Sequence, residues 1–188
     1  MVQPVPLTEK PLSDGDLVRQ CRRGHSDSFR LLYRRHQHKV RSTLFQLCGS
    51  SFLDDLVQET FLRAWKGLPK LRSPEYFKTW LYRIAWNVAS DKRREFAKTA
   101  DLQSKLDPKP PSSPAPDLMD LHYRDLVQRG LEELSFEHRS VLVLHDLEDL
   151  PQKQVAQVLG IPVGTVKSRL FHARATVRQY LEKQGVTL

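Results

Sequence analysis

A cluster of prolines divides the chain into two parts. Proline lacks a backbone N–H and its ring clashes with the preceding helical turn, so a run of prolines interrupts a helix and favours extended backbone. With little glycine beside them, these residues predict a semi-extended linker over residues 99–120. The prolines are Pro108, Pro110, Pro111, Pro114 and Pro116.

On both sides of this linker the pattern is helical. Apolar residues recur at spacings of three and four, with almost none of the alternation that marks strands. A chain of 188 residues accommodates two small domains. We therefore predict an all-α protein with a flexible N-terminus at 1–12, one helical domain at 13–98 and a second at 121–188.

The charge balance points to an acidic partner. The chain has 30 basic and 22 acidic side chains, a formal charge of +8, which suits nucleic acid or an anionic membrane. The excess is largest in residues 1–98, with 19 basic against 10 acidic, and in 151–188, with 6 against 1. No apolar stretch is long enough to span a bilayer and no secretory signal is evident, so we expect a cytoplasmic protein.

The basic end of the second domain has the pattern of a helix-turn-helix. Gly160 permits a left-handed turn, Pro162 favours a helix start directly after it, and small Ala156 allows two helices to cross closely. In the second helix, Val166, Leu170, Ala173 and Val177 form one apolar stripe. The side chains left facing outward are Thr165, Lys167, Ser168, Phe171, His172 and Arg174, and such a face reads bases in the major groove.

The stretch LSFEHRSVLVLHDLEDLPQKQVAQVLGIPVGTVKSRLFHAR resembles region 4 of the extracytoplasmic-function (ECF) subfamily of sigma-70 factors. The resemblance implies that Lys167, Ser168, Phe171 and His172 read the −35 promoter element, and that Thr165 and Arg169 support them or hold phosphates. Two positions depart from the pattern. Pro151 replaces the usual Ser or Thr cap, for which we expect Asp149 to substitute, and His172 replaces a common Arg.

In the first domain, LDDLVQETFLRAWKGLPKLR predicts a helix with two inner stripes and a polar outer face. The stripes are Leu56, Thr60 and Ala64, and Val57, Phe61 and Trp65; Arg63 lies outside. The segment resembles sigma region 2.2, which binds the clamp of core RNA polymerase. The resemblance implies polar contacts from Asp55, Gln58 and Glu59, with Leu62 at the edge. The alternative is an ordinary solvated helix face.

The segment YFKTWLYRIAWNVASDKRRE places aromatic and basic residues on one predicted helix. Rings stack on unpaired bases while cations hold phosphates, so this mixture suits single-stranded DNA. Apolar spacing assigns Phe77 and Trp80 to the core. Tyr82 and Trp86, four residues apart, are expected to be exposed.

The pattern from Trp80 to Arg94 resembles regions 2.3 and 2.4 of the ECF subfamily, although Trp86 stands where relatives often have Arg. The resemblance implies that the loop at 66–76 receives a flipped base of the −10 element and that the following helix lines the adjoining duplex. The predicted −10 residues are Lys66, Lys70, Arg72, Tyr76, Tyr82, Arg83, Trp86, Asn87, Lys92, Arg93 and Arg94.

Both resemblances together imply a sigma factor, with core RNA polymerase, promoter DNA in duplex and melted form, and an anti-sigma factor as partners. A stand-alone helix-turn-helix regulator is the alternative. The aromatic and basic helix argues against a regulator, because a protein that reads only duplex DNA needs no surface for unpaired bases.

An enzyme or a metalloprotein is a weaker interpretation. The sequence has no glycine-rich phosphate loop and no recognisable nucleophile or carboxylate pair, so we expect neither catalysis nor a cofactor. His36, His38, Cys48 and Cys21 could bind a metal, but a His-x-His pair on a basic helix is usually solvated. The two cysteines, without a C-x-x-C motif, are expected to be reduced and partly buried.

Overall fold

The computed structural model describes residues 12–100 and 118–186, so the predicted proline-rich segment lies largely outside the described ranges. The described residues form helices and no strand, which confirms the all-α class. The helices are α1 (Asp14–Arg22), α2 (Asp27–Cys48), α3 (Leu53–Gly67), α4 (Phe77–Ala100), α5 (Leu118–Glu132), α6 (Phe136–Leu142), α7 (Gln152–Leu159) and α8 (Val163–Lys183). Helix α4 continues to Ala100 and α5 begins at Leu118, so helical structure reaches into both ends of the predicted linker.

The first helix begins at a capping box. Ser13 Oγ accepts a hydrogen bond from the backbone N–H of Asp16, and the Asp16 carboxylate accepts one from the backbone N–H of Ser13. Ser13 is therefore the N-cap of α1. Leu17 and Val18 are fully buried and join Leu32 of α2 in the core of the first domain.

The connection between α3 and α4 is short and is anchored to the rest of the first domain. It contains two 3₁₀ turns, Leu68–Lys70 and Pro74–Tyr76, and Leu68 and Leu71 are buried in the domain core. Arg19 of α1 donates to the Glu75 carboxylate at 2.5 Å. These contacts fix the backbone of the loop while its polar side chains remain outside.

The second domain consists of α5 to α8, with a π-helical turn, Val143–Leu147, between α6 and α7. Gly160 is left-handed at φ 68° and α8 begins directly after Pro162, as the sequence predicted. The expected cap at Asp149 is wrong: α7 has no side-chain cap, and the carbonyl of Pro151 accepts from the N–H groups of Gln154 and Val155. Asp149 instead occupies the turn before it, with φ 55°.

The two domains pack against each other. Helix α4 of the first domain lies along α7 of the second, and α2 contacts both the π-helical turn and α6. Buried apolar side chains from both domains form one continuous cluster. One side of α4 is therefore covered by the second domain.

Candidate polymerase and nucleic-acid interfaces

Helix α8 buries one stripe and exposes the opposite face. Val166, Leu170 and Ala173 are at most 2% exposed, as predicted, and Val177 is half-buried. Lys167, Ser168, Phe171 and His172 are exposed, whereas Thr165 and Arg169 are half-buried at the edge of this face. The structure thus brings the predicted −35 residues together on one surface.

Phe171 is 71% exposed, more than any other large hydrophobic side chain in the described residues. Its ring meets that of His172 edge to face, with centroids 5.5 Å apart, and His172 in turn lies 6.2 Å from His138 of α6. An exposed phenylalanine beside polar neighbours costs solvation free energy unless a partner covers it. Apolar contact with thymine methyl groups would supply such a partner.

Arg174 differs from the other predicted −35 residues because its guanidinium is already paired. Nε lies 2.9 Å from Oδ2 of Asp146 and Nη2 lies 2.6 Å from Oδ1, a two-point contact to the π-helical turn. The hydrogen bonds that Arg174 donates to Asp146 raise the pKa of Arg174. Sequence reasoning missed Asp146 because 28 residues separate the partners.

The outer face of α3 is polar, as the sequence predicted. Asp55, Gln58 and Leu62 are exposed. Glu59 accepts from Arg63 Nε at 2.7 Å, and Arg63 also donates to Asp91 of α4 at 3.0 Å. The acidic side of this face is therefore joined to α4 by an ion-pair chain, and the two carboxylates raise the pKa of Arg63.

The other side of the α3 face is apolar and opens into a groove against α2. Gln58 and Leu62 line this groove with Phe29, Tyr33 and Trp65. Trp65 is 45% exposed, so its assignment to the inner stripe is wrong. It lies in the last turn of α3, and its ring packs edge to face on Phe29 of α2 with centroids 4.8 Å apart.

The loop between α3 and α4 presents the predicted basic residues to solvent. Lys66, Lys70 and Arg72 are exposed, and Tyr76 is 55% exposed. Gly67 lies against the Trp80 ring, where an added Cβ would come within 3.0 Å of it. This close approach lets the loop fold back tightly onto the start of α4.

Three predicted −10 residues form a stripe along the exposed side of α4. Arg83, Asn87 and Arg94 are spaced by four and seven residues and are all exposed. Lys92 lies on another side, where its Nζ is 4.6 Å from the Phe52 ring centroid and 5.1 Å from that of Phe96. Lys92 therefore already makes contacts within the first domain.

The exposure expected for Tyr82 is wrong. Tyr82 is 1% exposed because the second domain covers its side of α4, and its hydroxyl donates to the buried Glu148 carboxylate. Burial is the largest cause that raises the pKa of Tyr82, and the hydrogen bond to Glu148 raises this pKa further. The prediction of Phe77 as core is confirmed, and Trp80 is half-buried.

Trp86 and Arg93 face the second domain as well. Trp86 is half-buried, its indole N–H donates to Ser140 Oγ at 3.3 Å, and its ring stacks on Phe136 at 6.5 Å. The Arg93 guanidinium lies over the same Phe136 ring at 4.8 Å. Of the predicted −10 residues at the domain interface, Tyr82 is therefore buried and Trp86 half-buried, whereas Arg93 remains exposed.

The four residues considered for a metal do not form a cluster. His36 Nε2 lies 2.8 Å from Asp14 Oδ2, and Cys21 and Cys48 are free, partly buried thiols. Across residues 12–100 and 118–186, no group of three or more His, Cys, Asp or Glu side chains is placed to hold a metal ion. Within those same ranges no helix is long and apolar enough to cross a membrane.

Comparison with known proteins identifies both domains. The family model described as sigma-70 region 2 matches residues 32–99, and that described as sigma-70, region 4, matches residues 124–177. The ECF RNA polymerase sigma-E factor of Salmonella typhimurium is 34% identical over 177 residues, which cover 88% of this chain and 93% of that protein. The chain belongs to the ECF subfamily of sigma-70 factors. It directs RNA polymerase to promoters during transcription initiation.

Solved structures share the fold of this ECF sigma factor. The structure of CnrH in complex with the cytosolic domain of CnrY aligns with TM-score 0.65 and 26% identity, covering 90% of this chain and 97% of that one. RpoE of Bartonella quintana, solved in complex with the anti-sigma factor NepR, aligns with TM-score 0.67 at 22% identity, covering 82% and 96%.

Proposed function

We propose that this sigma factor binds core RNA polymerase through the outer face of α3. Asp55 and Glu59 supply the charged part of the contact, and Gln58 and Leu62 border the apolar groove that continues to Trp65. An exposed Trp beside an exposed Leu is typical of the centre of a protein interface, and carboxylates at its edge fix the orientation of a basic partner. The family resemblance of this helix to region 2.2 supports the same assignment.

The α3–α4 loop and the exposed stripe of α4 form the proposed −10 surface. Lys66, Lys70 and Arg72 supply phosphate contacts, and the half-exposed Tyr76 ring supplies a stacking platform for an unpaired base. Arg83, Asn87 and Arg94 continue this surface along α4. The anchoring of the loop by buried Leu68 and Leu71 means that little conformational entropy is lost when DNA binds.

The exposed face of α8 is the proposed −35 surface. In this proposal Lys167, Ser168, Phe171 and His172 enter the major groove, and Thr165 and Arg169 at the edge of the face contact phosphates. The single observation that carries the assignment is the 71% exposure of Phe171 at the centre of an otherwise polar, basic face.

The regulatory partner proposed for this chain is of the kind found in solved complexes of similar proteins. CnrH is solved with the cytosolic domain of CnrY, and the Bartonella RpoE with an anti-sigma factor. We infer that this chain acts in the cytoplasm, where core polymerase and promoters are found, and that a protein of the anti-sigma type regulates it. No catalytic step of its own is required for this function.

Run-off transcription with core polymerase and a library of genomic promoter fragments tests the proposal. Core supplemented with this chain should produce discrete transcripts that core alone does not, from fragments that share a −10 and a −35 sequence. A gel-shift assay without core provides the contrast, since a stand-alone regulator would bind those fragments tightly by itself. Tight binding without core, together with no transcripts, would contradict the sigma function.

A further inference from the structure

A cleft of about 490 Å³ is lined by residues of α2, α4, α5 and α6. Its apolar walls include Leu47 of α2, Phe96 of α4, Phe136 of α6 and Leu134, which lies between α5 and α6. Pockets for small organic molecules have volumes in this range and combine an apolar lining with a few convergent polar groups. The cleft therefore has the size and the apolar walls of a ligand site.

The charged groups that line the cleft are mainly cationic. Lys92, Arg93 and Arg139 contribute three positive side chains, and Glu132 is the one carboxylate among the lining residues. Lys92 Nζ already lies 3.0 Å from the Glu95 carboxylate. Across residues 12–100 and 118–186, neither of the two guanidinium groups forms an ion pair with a carboxylate. The cleft thus carries two arginines whose charge is not neutralised by direct contact.

Arg139 of α6 is half-buried and is held in a fixed position. Its Nη2 donates to the backbone carbonyls of Glu132 at 3.1 Å and of Leu134 at 3.3 Å, which ties the guanidinium to the end of α5. Its Nε is buried and has no hydrogen-bond partner among the described residues. An unpaired donor on a buried charged group costs free energy. An anionic ligand would supply the missing acceptor.

Arg93 of α4 places a second positive charge near Arg139. The Arg93 side chain is exposed, and its guanidinium lies 4.8 Å from the centroid of the Phe136 ring. Burial is the largest cause that lowers the pKa of Arg139; the Glu132 charge raises this pKa and the Arg93 charge lowers it. Like charges at this range repel each other, and an anion that contacts both of them relieves the repulsion.

We propose that the cleft binds a small organic anion that consists of a carboxylate attached to an apolar body. The carboxylate accepts hydrogen bonds from Arg139 and Arg93, because guanidinium donors match the two oxygens of a carboxylate. The apolar body packs against Leu134 and Phe136. Arg139 and the apolar walls belong to none of the core-binding, −10 and −35 surfaces, so the ligand site is a separate feature of the molecule.

Titration calorimetry on the full chain tests this proposal, with decanoate as the probe and 1-decanol as the uncharged molecule of equal chain length. Decanoate should bind to a single site, and 1-decanol should bind at least about tenfold more weakly because it lacks the carboxylate. Decanoate should also raise the melting temperature, since a ligand that binds only the folded chain stabilises it. Absence of decanoate binding at about 1 mM, or equal affinities for the two probes, would overturn the proposal.

Three variants test whether the cleft is the binding site. Arg139→Gln and Arg93→Gln each remove one guanidinium and should weaken decanoate binding by about ten- to a hundredfold, the factor expected for a lost hydrogen bond to a charged group. Ser51→Trp fills the cleft, which Ser51 lines, and leaves both guanidinium groups in place; it should weaken binding as strongly. Arg83→Gln is the matched control, because Arg83 is exposed on the same helix and does not line the cleft.

Circular dichroism checks that each variant is folded. Arg93 is exposed and Ser51 is half-buried in the connection between α2 and α3, so these two variants decide the outcome if Arg139→Gln disturbs the fold. Unchanged decanoate affinity in folded Arg93→Gln and Ser51→Trp would overturn the proposal. An equal loss of affinity in Arg83→Gln would do the same, because it would show a response to net charge alone.

Cys48 reports where the probe binds. Its thiol lines the cleft, and burial raises the pKa of Cys48 to about 11, so its reaction with iodoacetamide is slow enough to follow. In a Cys21→Ser background, decanoate at about ten times its Kd should slow this alkylation by about tenfold, since only the unoccupied chain reacts. The same concentration of 1-decanol should leave the rate unchanged. Bound decanoate that gives Cys48 no protection would lie elsewhere on the surface, which would overturn the assignment of the cleft.

Discussion

Arg174 of α8 and Asp146 of the π-helical turn form a two-point ion pair at 2.9 and 2.6 Å, which fixes the angle of the reading helix. This arrangement assigns Arg174 a supporting position at the edge of the −35 surface. The guanidinium N–H groups of Arg174 already bind Asp146, so fewer of them remain to bind DNA.

Arg174→Ala should therefore reduce −35-dependent transcription less than the loss of an exposed reader. The Arg174 side chain is 53% exposed, and solvent screening limits the pair to about 0.5 kcal/mol of folding free energy. Urea unfolding measures this loss, and Asp146→Asn should reproduce it. A larger transcriptional defect in Arg174→Ala than in Phe171→Ala would show that Arg174 contacts DNA directly.

Lys167→Ala and Phe171→Ala should each weaken −35 recognition by about 1 to 3 kcal/mol, because each side chain is exposed and free to meet a base edge. Stability should be retained, since the buried stripe of α8 is Val166, Leu170 and Ala173. Run-off transcription on matched promoters with intact and scrambled −35 sequences measures the effect. An equal loss on both templates would indicate phosphate contacts without sequence reading.

Charge reversal of Asp55 and Glu59 to Lys should lower the affinity for core polymerase by about tenfold or more. The introduced lysines would repel a basic partner that the native carboxylates attract. Asp27→Lys is a suitable control, since that side chain is 89% exposed on α2. Co-purification with core and a fluorescence titration measure the affinity. A doubly reversed variant that is folded and binds core normally would exclude this side of α3.

The stability of the first domain should depend on the charge of Asp14. Burial alone would raise the pKa of Asp14, but hydrogen bonds from His36 and Arg35 outweigh it and lower the pKa overall. A lowered carboxylate pKa stabilises the fold above the unfolded value near pH 4, and this contribution is lost as the pH falls through the folded pKa.

Asp14→Asn should therefore destabilise the protein at pH 7, and the difference from wild type should shrink below about pH 4. Urea midpoints measured across this range give the result, with exposed Asp27→Asn as the control. A difference that is constant with pH would mean that the Asp14 charge contributes nothing.

Local patterns predicted most of the secondary structure and the −35 surface. The apolar spacing in α8, the left-handed Gly160 and Pro162 are features of adjacent residues, and the structure confirms each of them. The failure at Asp149 was also local. It arose because the Pro151 carbonyl, and not a side chain, accepts the hydrogen bonds of the first helical turn.

The failures at Tyr82 and Trp86 have a different cause. Helical periodicity shows which side of α4 faces its own domain, but it carries no information about a second domain that covers another side. The partner of Tyr82 is Glu148, 66 residues away, in a segment whose resemblance indicates only region 4. One signal was available: Trp86 replaces a common Arg, and an apolar ring on a basic helix face suggests contact with protein.

A reversible cross-link between the domains tests most directly whether this sigma factor must open to act. Arg93 of α4 and Glu137 of α6 interact electrostatically across the interface, so cysteines introduced at these two positions can be joined by a short bis-maleimide containing a disulfide. Cys21→Ser and Cys48→Ser remove other thiols, and the same double variant capped by single maleimides is the control. The cross-linked protein should bind core but give little open complex or run-off transcript, and reduction should restore both to the level of the capped control. Equal transcription before and after reduction would contradict the account.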